Sequence, residues 1–458
     1  METLWSISMF FISPLLAYIV HIRSGYHKGG GGYSNRRKAL IFLLYLLSIN
    51  VCTFLVSCAR GIGEFHFAQM TVSYRLKYIG VGLAFGLLFW LVSLLPKLET
   101  YNAGQRNYEL DFFRLVFAIC VFMSHTGRFI KENTKVTLPV QIGQIAVYFF
   151  FVLSGMLMAN SILKKEQETT ECGKLAALFV MKKFKALAWD VYAALFVFMS
   201  VYIFTIPPEK IPDVLVKLIP ELFFATRAGI DTGYNVPGWY LSAMFFCMLP
   251  LSYLLYKERD FTRHILAPLL AVFVLGWICQ INDYNFLQQH KQRGLFMGGM
   301  YAAASGLCFG ICAYNIYIRL YRARLNENMR MLLTVIEVFL YGVFFGTWFL
   351  IRDNQAIMSV ILLLPIAIAI TFSGKSYIVR LFQFDWMKCF APLSLTIYLN
   401  HWIGRVLVLK YFEGSCYGFC VFMMAVFTLG SCLLSTCLKK IGKFMWNNKL
   451  KIVLFNCE

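Results

Sequence analysis

The sequence predicts an all-α, polytopic membrane protein, and three observations carry that expectation. The chain of 458 residues is 59% hydrophobic and only 14% charged, with a mean hydropathy of +0.65; a soluble domain is nearer half apolar and a quarter charged. The apolar residues gather into thirteen blocks, each about long enough for the ~30 Å hydrocarbon core of a bilayer. The Lys and Arg residues sit between the blocks and favour alternate gaps, as membrane topology demands.

The first three spans, near 3–20, 39–59 and 78–96, make an N-terminal segment (1–106) to which the residues assign no role. "METLW" places Glu2 and no base before the first apolar run, and no small-residue cleavage site follows "FFISPLLAYIV". A retained helix is therefore expected there, not a cleaved leader. Ten more spans follow, near 112–127, 142–162, 186–204, 239–256, 265–281, 296–317, 331–351, 355–372, 389–409 and 417–436. With the N-terminus outside, the inner gaps (21–38, 97–111, 163–185, 257–264, 318–330, 373–388 and 437 onward) hold 28 of the 43 Lys and Arg residues. The outer gaps hold 13, and Arg114 and Arg405 lie within spans. The bias predicts an outer N-terminus and a basic cytoplasmic tail, residues 437–458, carrying "KKIGKFMWNNKLK". The net charge of +20 is thereby explained by topology, and no nucleic-acid partner is expected. "KGGGGYSNRRK" (28–38) lacks the Gly-Lys-Ser/Thr ending of a phosphate loop. The longest outer loop, 205–238, is rich in proline. The fourteen cysteines include no C-x-x-C. Cys308/Cys312 and Cys416/Cys420 are spaced for one helix face, read as apolar filler, with metal or disulfide as the alternatives.

The fourth span poses the chemical question. "LDFFRLVFAICVFMSHTG" (110–127) carries Asp111, Arg114 and His125 on an otherwise apolar run, and ionisable groups in hydrocarbon are costly and usually face a cavity. Eleven residues at ~100° each bring Arg114 and His125 onto one face, ~16 Å apart along the axis. Asp111, three residues before Arg114, can pair with it. Topology puts Arg114 at the cytoplasmic mouth, where a fixed cation suits phosphate, and His125 deeper, where imidazole suits proton transfer. A ligand with phosphates at one end and a reactive group on a long arm would span both, and acyl-coenzyme A has that shape. The plainer alternative is a snorkelling arginine and an interfacial histidine.

"LDFFRLVFAICVFMSH" resembles the first core helix of the membrane acyltransferase 3 family, whose pattern is Leu-Asp-x-x-Arg, an apolar stretch, then His. "VYFFFVLSGMLMA" (147–159) is similar to that family's Phe-Phe-x-Leu-Ser-Gly block through Ser154 and Gly155. "PGWYLSAMFF" (237–246) is similar to its Pro-Leu-Trp-Phe/Tyr-Leu segment through Trp239, Tyr240 and Leu241. "LSLTIYLNHW" (393–402) is similar to its Leu-Ser-x-x-x-Tyr-Leu-x-His block, with His401. The four blocks stand in order over about 107–436, so that stretch is expected to be a ten-helix acyltransferase 3-like core. The resemblance implies O-acylation, usually O-acetylation, of an extracytoplasmic carbohydrate or glycolipid, with cytoplasmic acyl-CoA (acetyl-CoA) as donor, in a bacterial inner membrane. It makes Arg114 and His125 the required pair, with His125 as general base or nucleophile.

One departure concerns the donor. Where the family often has Arg-x-x-Arg, this chain reads "MKKFKALAW", giving Lys182 and Lys185. Lysine keeps the charge but lacks the bidentate fork, so acyl-CoA binding and a positive-inside flank are both open readings. Ser154 could carry an acyl group covalently, or could pack helices together with Gly155. His401 and Arg405, one turn apart, could orient acceptor hydroxyls or anchor the interface beside Trp402. The seven histidines show no metal-ligand spacing, and no metal is expected. A reading from another class is a polysaccharide-linked transporter or flippase whose pathway Arg114, His125 and His401 would line.

Overall fold

The computed structural model describes residues 107–129, 142–164, 171–226, 235–281, 292–293, 296–350, 360–382 and 384–455, together with a few single positions. The three N-terminal spans expected at 3–20, 39–59 and 78–96 lie outside the described residues.

Among the described residues, eleven α-helices of ten or more residues succeed one another: α1 (Tyr108–Ser124), α2 (Ile142–Leu163), α3 (Cys172–Tyr202), α4 (Ile211–Leu222), α5 (Gly238–Lys257), α6 (Ala267–Ile281), α7 (Gly298–Arg322), α8 (Glu327–Leu350), α9 (Leu364–Ser373), α10 (Phe390–Tyr411) and α11 (Tyr417–Phe455). A two-stranded antiparallel turn, Gln292–Arg293 with Phe296–Met297, precedes α7. Eight helical stretches among the described residues are long and apolar enough to cross a bilayer. Two expected spans fall short of that. The span at 355–372 is represented by α9, only ten residues long. The span at 389–409 is α10, which carries the buried polar side chains Ser394, Asn400, His401 and Arg405.

Three expected loops are helical. The inner gap 163–185 becomes helix at Cys172, so Lys182 and Lys185 stand on α3. The outer loop contains α4, amphipathic, with Leu215, Val216 and Ile219 exposed. In the stretch 437–458, α11 continues from the last span as helix to Phe455. Lys439 there pairs with Asp190 of α3, and a Cβ at Gly442 would lie 2.6 Å from the Trp189 ring.

The chain divides into two compact units. The first comprises residues 1–111 with 316–387, and the second residues 112–315 with 388–458. In the first, Asn107 caps α1, its Oδ1 accepting from the Leu110 amide at 3.0 Å, which satisfies a backbone donor that the helix start leaves free. Its Nδ2 donates to the Thr371 carbonyl of α9 at 2.7 Å. Below that cap lie the fully buried carboxyls of Glu109 and Glu337. Thr371 donates to Glu337, and the Tyr341 hydroxyl lies 2.9 Å from that of Thr371. α9 stops at Gly374, whose φ of 61° is the left-handed conformation glycine adopts without penalty.

The second unit packs α3 against α5, α10 and α11, and α2 against α5. Leu195, Phe198 and Met199 of α3 meet Ile403 of α10 in one apolar cluster, and Phe122 of α1 meets Val408, Cys420 and Met424 in another. α2 and α7 cross almost backbone to backbone. A Cβ at Gly155 would lie 2.1 Å from the Leu307 carbonyl oxygen, and one at Gly310 would lie 2.2 Å from that of Val152. Small residues allow such crossings where lipid gives helices no hydrophobic reason to associate.

Candidate active site

α1 is one unbroken helix from Tyr108 to Ser124, tightening to a 3-10 turn at His125–Phe129. Local side-chain chemistry ends it. Ser124 Oγ donates back to the Val121 carbonyl and Thr126 Oγ1 to that of Met123, both at 2.7 Å, competing with the backbone ladder. Arg114 stands on α1 and His125 opens the 3-10 turn that follows it, and both are half-buried. Asp111 lies one turn before Arg114 and is buried.

Arg114 opens onto a cavity of about 240 Å³ in the second unit. α2 supplies Phe150, Leu153, Ser154 and Leu157, and α3 supplies Phe179, Lys183 and Leu187. Tyr240 and Met244 come from α5, and Ser394 and Tyr398 from α10. Arg114 and Lys183 are the two cations of this wall. Two cations on one largely apolar cavity give it a positive potential that suits phosphate. Further along, Ser154 Oγ and Tyr240 Oη lie 3.1 Å apart. The rings of Phe150, Tyr240 and Tyr398 form a mutual triad, with centroids 6.2 Å, 6.0 Å and 5.6 Å apart.

Beyond Tyr398 stand the histidines. His125 and His401 stack with centroids 5.1 Å apart and planes 25° apart. Trp402 meets His125 edge-on at 5.2 Å, and the Arg405 guanidinium lies 4.2 Å from the centre of the Trp402 ring, a cation–π contact. His401 is fully buried. Its Nδ1 donates to the Tyr398 carbonyl at 2.7 Å, and a carbonyl can only accept, so this bond fixes the tautomer of the neutral ring. Nε2 then carries the lone pair, and it is buried without a hydrogen-bond partner among the described residues.

The structure thus gathers Arg114 and Ser154 at the cavity, and His125, His401 and Arg405 just beyond it. It does not bring Lys182 and Lys185 to the cavity, since both are exposed on α3. The residue of "MKKFK" that reaches it is Lys183. Helix phase is the reason: the directions of Phe179, Lys183, Ala186 and Leu187 centre close to that of Lys183, from which 182 and 185 are rotated by ~100° and ~160°. Trp239 is buried against Phe151, ring centroids 5.9 Å apart, while its neighbour Tyr240 faces the cavity. Among the described residues, no group of three or more His, Cys, Asp or Glu side chains could hold a metal. The described cysteines, Cys308, Cys312, Cys416 and Cys420 included, are free thiols.

The family model described as an acyltransferase domain, the acyltransferase 3 model, matches residues 107–438. The chain belongs to the acyltransferase 3 family. The match takes in helices α1 to α10 and much of α11. The acyltransferase MdmB of Streptomyces mycarofaciens is 29% identical over 168 residues, which cover 34% of this chain and 41% of that protein. The chain therefore matches less than half of that relative's length. No solved structure matches significantly. The family match and the eight apolar helices among the described residues together describe a multi-pass membrane protein of the acyltransferase 3 family.

Proposed function

We propose that this acyltransferase moves an acetyl group from cytoplasmic acetyl-CoA to a carbohydrate hydroxyl at the extracytoplasmic side of a bacterial inner membrane. The observation that carries the reading is two cations at one cavity and two stacked histidines next to its Tyr398 wall. Arg114 and Lys183 stand at a largely apolar cavity, and His125 stacks on His401, whose ring lies 6.0 Å from that of Tyr398. The cations bind the phosphates of the donor, and the pantetheine arm lies along Leu153, Leu157 and Met244 toward Tyr398. The acceptor oxygen attacks the thioester carbonyl as its proton passes to His125. The new C–O bond forms, the C–S bond breaks, and the departing thiolate takes a proton back from the imidazolium. His401, held by the Tyr398 carbonyl, fixes the plane of the His125 ring, and Arg405 and Trp402 border the acceptor side.

The experiment is transfer of labelled acetyl from acetyl-CoA into alkali-labile ester in membranes containing the protein. Arg114→Ala and Lys183→Ala are each expected to raise the KM for donor by on the order of tenfold, the worth of about 1.4 kcal/mol, with a smaller change in kcat. Lys182→Ala and Lys185→Ala should shift that KM far less. No donor-dependent ester in wild-type membranes would refute the function. An equal effect from all three lysines would refute the assignment of Lys183.

A further inference from the structure

The cavity and the histidine pair do not share a lining. Neither His125 nor His401 borders the cavity, whose α10 wall is Ser394, Leu395 and Tyr398. Tyr398 is the residue common to both. Its ring closes the triad with Phe150 and Tyr240 on the cavity side, and lies 6.0 Å from the His401 ring on the other. It is 4% exposed, and its own carbonyl fixes His401.

We propose that Tyr398 is the specificity-determining residue for the acyl group, its ring forming the wall that the acyl chain meets beyond the thioester carbonyl and so limiting transfer to short chains. This inference rests on the proposed function and adds to it the size class of the donor. The argument is steric. On its way to His125, a thioester whose phosphates sit by Arg114 meets three aromatic rings packed edge to face at contact distance, with centroids 5.6–6.2 Å apart. Packed interiors resist volume changes of even a methylene. An acetyl group adds one methyl beyond the thioester carbonyl, whereas an octanoyl chain must displace the ring. The bond that fixes His401 comes from the Tyr398 backbone, so shortening the side chain opens the wall and leaves that bond in place.

The test is competition between labelled acetyl-, butyryl- and octanoyl-CoA in membranes containing the protein, read as the ratio of kcat/KM for octanoyl over acetyl transfer into alkali-labile ester. Wild type is expected to favour acetyl. Tyr398→Phe is expected to hold the ratio within about twofold, and Tyr398→Ala to raise it at least tenfold, as one or two methylenes already discriminate by factors of about 10–200 in an apolar pocket. If Tyr398→Ala does not accumulate, Tyr398→Leu is read the same way, with an intermediate rise expected. An unchanged ratio in a variant that still transfers acetyl would overturn the inference and leave the proposed function standing. So would a folded Tyr398→Ala or Tyr398→Leu protein that transfers no acyl group, since that would make the ring necessary to the chemistry. Wild type that takes no acyl group from any donor would defeat the proposed function itself, and the inference with it.

Discussion

Replacing His125 with alanine is expected to lower acetyl transfer by about 10²–10⁴-fold, the range a positioned general base contributes, without preventing folding. The ring is half-buried and sits in the 3-10 turn after α1, so its loss leaves the helix and the close crossing of α2 and α7 intact. The loss should fall on kcat, because the phosphate site proposed at Arg114 lies some three helical turns away. His401→Ala should cost less, since His401 touches His125 by ring stacking. The check is a paired assay on protein whose melting temperature in detergent matches wild type. A His125→Ala protein with wild-type kcat would remove the proposed base.

The second large effect concerns Gly155. Gly155→Leu is expected to abolish accumulation of folded protein, and Gly155→Ala to destabilise it by about 1–3 kcal/mol, the usual cost of overpacking. The nearest atom to an added Cβ is the Leu307 carbonyl oxygen at 2.1 Å, and backbone cannot turn aside as a flexible side chain can. Moving α2 away from α7 would also shift the neighbouring Ser154, which faces the cavity and meets Tyr240. A melting curve of Gly155→Ala that overlays wild type would show that the crossing is looser than described.

The helical character of the chain was legible because lipid-facing and core-facing segments are both apolar, so composition alone marks a span. The same property hides where a span ends: the sequence does not show that α3 begins at Cys172 or that α11 continues to Phe455. α10 was legible by motif, through Tyr398 and His401. It also stands out as an apolar block, and what the block did not reveal is that Asn400, His401 and Arg405 on it are buried. At the candidate site, the sequence spacing placed Arg114 and His125 on one helix, whereas α1 ends one residue before His125, which opens the 3-10 turn. Lys183 was missed for a specific reason. A motif match selected positions 182 and 185, while the phase of Phe179, Ala186 and Leu187 already pointed to 183. The buried carboxyls of Glu109 and Glu337 were also passed over, since Glu109 reads as an ordinary charge at a helix start and Glu337 as a lone carboxylate inside an apolar span until tertiary structure shows both enclosed.

The central claim is that a single donor stretches from the Arg114–Lys183 end of the cavity to His125. Its most direct test is a density map of the membrane protein bound to a non-hydrolysable acetyl-CoA analogue. The expected result is phosphate density beside Arg114 and Lys183, with the acyl carbon at the Phe150–Tyr240–Tyr398 rings and within reach of the His125 imidazole. Phosphates seated away from both cations, or an acyl end on the far side of α1 from His125, would contradict it.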